Sequence, residues 1–282
     1  MAAAAGNLQS VFRLRPEPFR MNPAGQGLFS PIVEKLIRIR KNCTARNIDN
    51  GFDGKGYKNY TNTYDQYCKT FRIDLKAEIK EAISRDKEKG PKFILEIGPA
   101  FAVAARELQK KLGDRATVVG VDILEMDQRK FRPDLPPIPV FPGMAECLPF
   151  LENELFNAVI AHRSLYNSLI PNKIFSEVFR VLKPGGVAFM MFGWMTGNGK
   201  RKDHPIVAEF KKVLSSIKEK QLFPLEYFDD HDAIKVLFTK TDGCYPEKLF
   251  ALDWHDFYLA TLLSRYKNLP LHRLFICSRG KP

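Results

Sequence analysis

Three groups of residues have types and spacing suited to handling a nucleotide. Gly98 follows an apolar run, Phe93-Ile94-Leu95-Glu96-Ile97, and precedes a helical pattern that begins around Phe101. A glycine between strand and helix lets a ligand approach the backbone, because no Cβ stands in the way and a positive φ costs little. Asp122 closes a second apolar run, Ala116 to Val121, 24 residues after Gly98. A carboxylate there can accept from ribose hydroxyls, so strand, glycine turn, helix, strand and terminal acid together make a nucleotide pocket. His162, with Arg163 and Tyr166 close behind, follows a further run, Asn157-Ala158-Val159-Ile160-Ala161. An imidazole at that point could act as a general base near neutral pH. Each position also has a plainer reading. Any tight strand–helix turn wants a glycine, an aspartate after a strand can cap the next helix, and a buried histidine is often hydrogen-bonded framework.

The elements that must position these residues alternate along the chain. Ser30-Pro31 reads as an N-cap with proline at the first helical position, followed by Ile32, Val33, Leu36 and Ile37 at helical spacing. Asn47 to Asn62 has loop composition. Tyr64, Tyr67, Phe71, Leu75, Ile79 and Ile83 predict one helix from about Tyr64 to Ile83, ended by Asp86 to Pro91. After the first strand, Phe101, Ala104, Leu108 and Leu112 form an apolar helix face, with Gly113 as its C′ residue. A short strand is expected near Val140, after the proline-rich, non-helical Phe131 to Pro139. Asn157 to Ala161 reads as a strand buried on both faces. Ile174, Val178, Val181 and Leu182 give a helix closed by Lys183-Pro184-Gly185-Gly186, and Val187 to Phe192 is a fifth strand. A helix is expected from about Asp203, with Ile206, Phe210, Val213, Leu214 and Ile217 in register. Lys235 to Thr239 and Arg273 to Cys277 look like closing strands, with Trp254 to Tyr266 helical between them. This alternation predicts an α/β, doubly wound, mostly parallel sheet. The expected division is a flexible extension over 1–28, a helical cap over 29–91 and one α/β domain over 92–282 with a helical insertion near 245–268.

At Glu96 to Gly98, at Ala145-Glu146-Cys147-Leu148-Pro149-Phe150 and at Arg180-Val181-Leu182-Lys183-Pro184-Gly185-Gly186, the chain resembles the class I S-adenosylmethionine-dependent methyltransferases. The resemblance is to the broad group that includes the quinone-biosynthesis methyltransferases, and it spans roughly Lys92 to Phe192. It implies a Rossmann-like methyltransferase fold with an antiparallel C-terminal strand, S-adenosylmethionine as cofactor, and transfer of a methyl group to an oxygen or nitrogen acceptor. Glu96 and Gly98 match the start of the family's acid and Gly-x-Gly-x-Gly pattern, with Pro99 and Ala100 following in the turn. Ala100 and Ala102 stand at the second and third glycines. By the same resemblance Asp122 holds the ribose hydroxyls and Ile123 packs on adenine. The Gly143-Met144-Ala145-Glu146 loop flanks the base, with Met144 where an aspartate commonly accepts from the exocyclic amine. His162 would line the methionine portion of the cofactor or serve as a base, with Tyr166 beside it. Relatives often fold an N-terminal segment over the cofactor, which brings in Tyr57, Tyr60, Tyr64 and Tyr67, although Tyr64 and Tyr67 also fit a helix stripe. Leu274-Phe275-Ile276, followed by Arg279 and Lys281, resembles the family's strand ending.

A rival reading is a catalytically silent methyltransferase fold kept as an RNA- or protein-binding subunit. Ala100, Met144 and Asn157, where relatives usually carry aspartate, point that way. A nicotinamide dehydrogenase fits worse, since the chain has no Tyr-x-x-x-Lys pair.

Composition sets the outer bounds. With 45% hydrophobic and 27% charged residues, the chain has ordinary globular content, and its length suits one elaborated domain. A net charge of +12 favours an anionic acceptor or partner, a small molecule or RNA, and Gly197-Asn198-Gly199-Lys200-Arg201-Lys202 would be a basic loop at the ligand edge. Trp254, His255, Phe257 and Tyr258 suit either an acceptor-pocket cap or core packing. No apolar run reaches membrane-spanning length. Five scattered cysteines and five scattered histidines argue for a reducing compartment and against a metal. The cytoplasm is the expected location, with the mitochondrion as alternative because Arg13, Arg15 and Arg20 face a single acid, Glu17, within Met1 to Met21.

Overall fold

A computed structural model describes residues 62–122, 126–143, 145, 148, 151–162, 164–165, 171–193, 211–212, 214–216, 218–221, 224–230 and 233–241 of the chain. Two helices precede the sheet. Helix α1, Tyr64–Phe71, opens with a reciprocal cap: Gln66 N–H donates to Thr63 Oγ1, and Thr63 N–H donates to Gln66 Oε1 at 2.7 Å. The single helix expected to run on to Ile83 is in fact two. Arg72 turns left-handed, at φ 58°, and Asp74 then caps helix α2, Leu75–Arg85, by accepting from the amides of Lys76 and Ala77. The Tyr64 hydroxyl donates to Asp74 at 3.0 Å and fixes the corner. The apolar stripe survives the break because Tyr67 and Phe71 on one side, and Leu75 and Ile79 on the other, all reach the same buried cluster.

Seven strands follow in the spatial order β3-β2-β1-β4-β5-β7-β6. They are β1 Phe93–Ile97, β2 Thr117–Asp122, β3 Val140–Pro142, β4 Phe156–Ala161, β5 Leu182–Gly193, β6 Leu225–Asp230 and β7 Ala233–Thr239. The first five pair in parallel, whereas β7 runs antiparallel to both β5 and β6. Helix α3, Val103–Leu112, connects β1 to β2, and helix α4, Pro171–Val181, precedes β5. Alternate residues divide between two cores as a pleated strand requires. Ile94, Val118, Ala158, Ile160 and Phe189 lie with α1, α2 and α3, while Leu95, Val119, Val159, Ala161 and Met190 lie with α4. Both faces of the central strands are therefore covered, the doubly wound arrangement that their unbroken apolar runs call for.

Two local expectations change. Lys183-Pro184-Gly185-Gly186 does not close α4 but belongs to the irregular start of β5, where Gly185 takes φ +75° and the β4–β5 register shifts between Phe156 and Ala158. The antiparallel partner of β7 is β6, a segment that carries Glu226, Asp229 and Asp230 and gives little apolar signal. Arg273 to Cys277, Trp254 to Tyr266 and the helix from Pro31 lie outside the described residues, as does the segment 1–28.

Polar side chains lock both edges of the sheet. At the amino edge, Asp86 accepts from Lys92 at 2.8 Å, Lys183 at 2.9 Å and Asn157 Nδ2 at 2.7 Å. Burial alone would push the Asp86 carboxyl up, but these three donors outweigh it and hold it well below the usual range. Asn157 also accepts from Phe93 N–H at 3.3 Å, tying β4 to the start of β1.

Arg106 on α3 is fully buried and spends its guanidinium on carbonyls: Nε on Pro136, Nη1 on Gln128 and Phe131, Nη2 on Arg132 and Leu135. That one side chain organises the connection from β2 to β3. Arg106→Met should cost on the order of 3–5 kcal/mol, because the buried carbonyls would lose their donors together. Urea denaturation measures the loss; a change below about 1 kcal/mol would mean that the connection is held by other contacts.

Candidate active site

The strand order places the candidate site before any side chain is considered. From β1 the chain winds outward through β2 to β3, then returns to β4 on the other side of β1. At such a switch point the connections leave in opposite directions and open a crevice at the carboxyl ends of the strands. The segments that reach this crest are Gly98 after β1, Asp122 at the end of β2, and His162 and Ser164 after β4.

The turn after β1 is tightly specified. Gly98 N–H donates to Val121 O at 2.7 Å, which extends the β1–β2 ladder by one rung. Gly98 has φ +68°, and a Cβ on it would come within 2.4 Å of Ser164 Cβ. The glycine is thus required twice, by backbone conformation and by the segment after β4 that leans against it. Ala100 at φ 50° and Ala102 at φ 54° are also left-handed, a conformation that costs a non-glycine residue roughly 1–2 kcal/mol. Ala100 N–H donates to Asp122 Oδ2 at 2.9 Å, and Gly143 N–H donates to the Asp122 carbonyl at 2.9 Å. Asp122 therefore joins the turn after β1 to the segment after β3. Pro99 lies over Gly120, where an added Cβ would meet its Cγ at 2.8 Å. Helix α3 starts from Ala102 with no side-chain cap, which leaves the positive end of its dipole at this edge.

Beneath the crest lies a buried polar cluster. Glu96 is 1% exposed and accepts a short hydrogen bond from the Tyr67 hydroxyl. Burial pushes its carboxyl up to about 7, with Asp122 adding to the shift and the Tyr67 bond opposing it. The second oxygen, Oε2, is buried with no partner among the described residues, and so is Ser164 Oγ. His162 is also buried; its Nε2 lies 3.0 Å from Thr70 Oγ1, and its ring packs 4.2 Å from that of Tyr67 and 5.9 Å from that of Phe71. Helix α1 thus covers the acid of β1 and the histidine after β4 together.

Glu96, Gly98, Pro99, Ala100, Asp122 and His162 lie together at the carboxyl ends of β1, β2 and β4. Ala145 lies in the buried cluster with Ile97 and Val121. Ile123, Met144 and Tyr166 fall outside the described residues. Sequence reasoning missed Thr70 and Ser164 at this site. For Tyr67 the available signal was its hydroxyl: a tyrosine inside an apolar stripe must find a polar partner when buried. Asn157 sits at the opposite edge of the sheet, bonded to Asp86 and Phe93, so its departure from the family pattern concerns framework rather than cofactor.

The sequence pattern of a family described as a methyltransferase domain matches residues 95–190, which contain every crest residue named above. No curated protein matches the chain. Among solved structures, the chain is similar to a putative S-adenosyl-L-methionine-dependent methyltransferase from Methanococcus maripaludis, at 19% identity and TM-score 0.41 over 68% of this chain and 95% of that one. A putative methyltransferase from Bacillus halodurans is 16% identical at TM-score 0.38, over 58% and 99% of the two chains. An arsenic(III) S-adenosylmethionine methyltransferase from Chlamydomonas reinhardtii is 18% identical at TM-score 0.38, over 59% and 74%. At such TM-scores these likenesses bear on neither substrate nor site. Residues 95–190, about a third of the chain, thus carry the pattern of a methyltransferase domain, on a mostly parallel seven-stranded sheet consistent with a Rossmann-like methyltransferase fold.

Proposed function

We propose that the chain transfers a methyl group from S-adenosylmethionine to an oxygen or nitrogen acceptor, with the adenosyl group lying across the carboxyl ends of β1, β2 and β4. The observation that carries this reading is the Asp122 carboxylate, bonded to the Ala100 amide at 2.9 Å beside the left-handed Gly98 turn, inside the segment 95–190. The residues present suit such a ligand. Glu96 Oε2 and Ser164 Oγ are buried polar atoms without partners among the described residues, the condition in which a bound molecule or water usually completes the hydrogen bonds. Two carboxylates near one crest also suit a cofactor that carries a sulfonium and an ammonium.

Bound there, the cofactor offers a methyl group on a good leaving group, so aligning the acceptor is the main demand on the protein and can supply roughly 7–11 kcal/mol. The Ala100 N–H orients the Asp122 carboxylate, which accepts from the ribose hydroxyls. Ile123 and Met144 are assigned to the adenine by resemblance alone. Tyr67 holds Glu96 and shields it from water beneath α1. His162 is committed to Thr70 and packed against Tyr67, which favours lining the pocket over removing a proton from the acceptor. An anionic acceptor is supported by the net charge of +12 and by no residue of the described site. The silent-fold alternative keeps the departures from the family pattern at Ala100 and Met144 in its support.

Calorimetric titration of the full chain with S-adenosylmethionine tests the proposal. Saturable binding is expected, and Asp122→Ala should weaken it roughly tenfold or more, the scale of one lost charge-assisted hydrogen bond. A folded protein that shows no binding at millimolar cofactor would favour the silent fold.

Glu96 gives a second expectation. Its folded carboxyl titrates at about 7, against an ordinary 4.5, so the folded state holds the proton more tightly. The resulting stability is fully present below pH 4.5 and is lost as pH rises to about 7, on the order of 3 kcal/mol in total. Glu96→Gln imitates the protonated form and should flatten the urea midpoint over this range. An unchanged slope would place the titration on another group.

A further inference from the structure

A second concentration of charge lies away from the crest. Lys76 and Lys80 of α2, Lys110 and Lys111 of α3, and Arg115 of the short 3-10 turn Gly113–Arg115 line one open groove of about 560 Å³, with Asp114 as the single acid among the described residues that line it. Helix α3 leaves the crest at Val103 and covers about 15 Å before Leu112, so its far end lies toward the amino edge of the sheet, where Thr117 begins β2. The groove and the crest are therefore at opposite ends of α3.

Helix chemistry does not account for these cations. Lys110 and Lys111 suit the negative end of α3, but Lys76 stands in the first turn of α2, where the dipole disfavours a positive charge. Among the described residues none of the five forms a salt bridge, although carboxylates elsewhere on this surface do pair, as Asp86 does with Lys92 and Lys183. Lys80 is held below its ordinary value, by desolvation first and then by the charges of Arg115 and Lys76, with Asp74 opposing the shift. Like charges left facing one another across a groove are unfavourable until an anion enters between them.

The groove also indicates the form of that anion. It is open rather than enclosed, which suits an extended polyanion better than a buried metabolite. Among the described residues it is lined by no aromatic side chain; the nearby Tyr64 ring is already covered by Lys111 Nζ at 4.6 Å. Without a stacking platform, unpaired bases have nothing to lie on, whereas the phosphates of a double helix need only positioned cations. We infer that this groove binds the phosphodiester backbone of a double-helical nucleic acid, independently of sequence. The inference stands whether or not the crest binds cofactor.

The test compares the full chain with Lys80→Gln/Arg115→Gln/Lys110→Gln and with a charge-matched control, Lys87→Gln/Lys89→Gln/Lys218→Gln, at exposed positions outside the groove. Fluorescence anisotropy is recorded with a 20-base-pair duplex RNA, the same sequence as duplex DNA, and polyglutamate, each across a salt series. The groove variant should bind both duplexes roughly tenfold or more weakly, and the slope of log K against log salt should shrink by about 0.9 for each phosphate contact removed. Comparable binding of the two duplexes would mean that the backbone is read without regard to sugar; a preference for RNA would identify the minor-groove hydroxyls as part of the footprint. Equal losses in the groove variant and the control would overturn the proposal, as would polyglutamate bound as tightly as either duplex, which would indicate an acidic protein partner. Should the groove variant fail to fold, amine-reactive labelling of the native chain decides the matter. Duplex should protect Lys76, Lys80, Lys110 and Lys111 over Lys87 and Lys89, and uniform labelling would refute the site.

Discussion

The hydrogen bond from Ala100 N–H to the Asp122 carboxylate, at 2.9 Å, is the contact on which the crest depends. It spans two strands, because Ala100 belongs to the turn after β1 and Asp122 ends β2. It also acts where the backbone is least comfortable, between Gly98 at φ +68° and Ala102 at φ 54°. Left-handed alanines persist only when their surroundings over-determine them, and here a charge-assisted bond from Ala100 and the ladder bond from Gly98 to Val121 do so together. Strained backbone clusters at ligand sites, and the carboxyl edge of a switch point is where the proposed site lies. The same conformation would be a simple liability in a turn with nothing to bind.

The covering helix follows from this constraint. An acid one residue before the end of β1 cannot be exposed in a sheet covered on both faces, so it needs a donor from the layer above. Tyr67 provides it, and α1 must then lie close enough for its Thr70 and Phe71 to reach His162. The break at Arg72 allows α1 and α2 to turn across the sheet rather than continue past it. At the amino edge, Asp86 gathers Lys92, Lys183 and Asn157, fixing α2 to the starts of β1, β4 and β5.

Much of this was legible in the residues, for identifiable reasons. The central strands are buried on both faces, so their apolar runs are unbroken and their ends, at Gly98 and Asp122, are sharp. The helix break was hidden because the apolar residues on both sides keep helical spacing while Asp74 restarts the helix through its side chain, a local hydrogen bond that periodicity does not register. β6 escaped notice because a strand paired on one side only among the described residues can carry Glu226, Asp229 and Asp230. Ser164 and Thr70 could not be found by pattern, since each matters only through a neighbour distant in sequence. Arg106 was equally invisible: its partners are carbonyls, which every residue type carries.

The account rests on an adenosyl group occupying the crest, and a crystal structure of the full chain soaked with S-adenosylhomocysteine addresses it most directly. The expected density places both ribose hydroxyls on the Asp122 carboxylate, with the nucleoside beside the Gly98 turn and the sulfur toward the end of β4. A crest filled by Ser164 and Ala100, with the nucleoside absent or bound elsewhere on the surface, would contradict that placement.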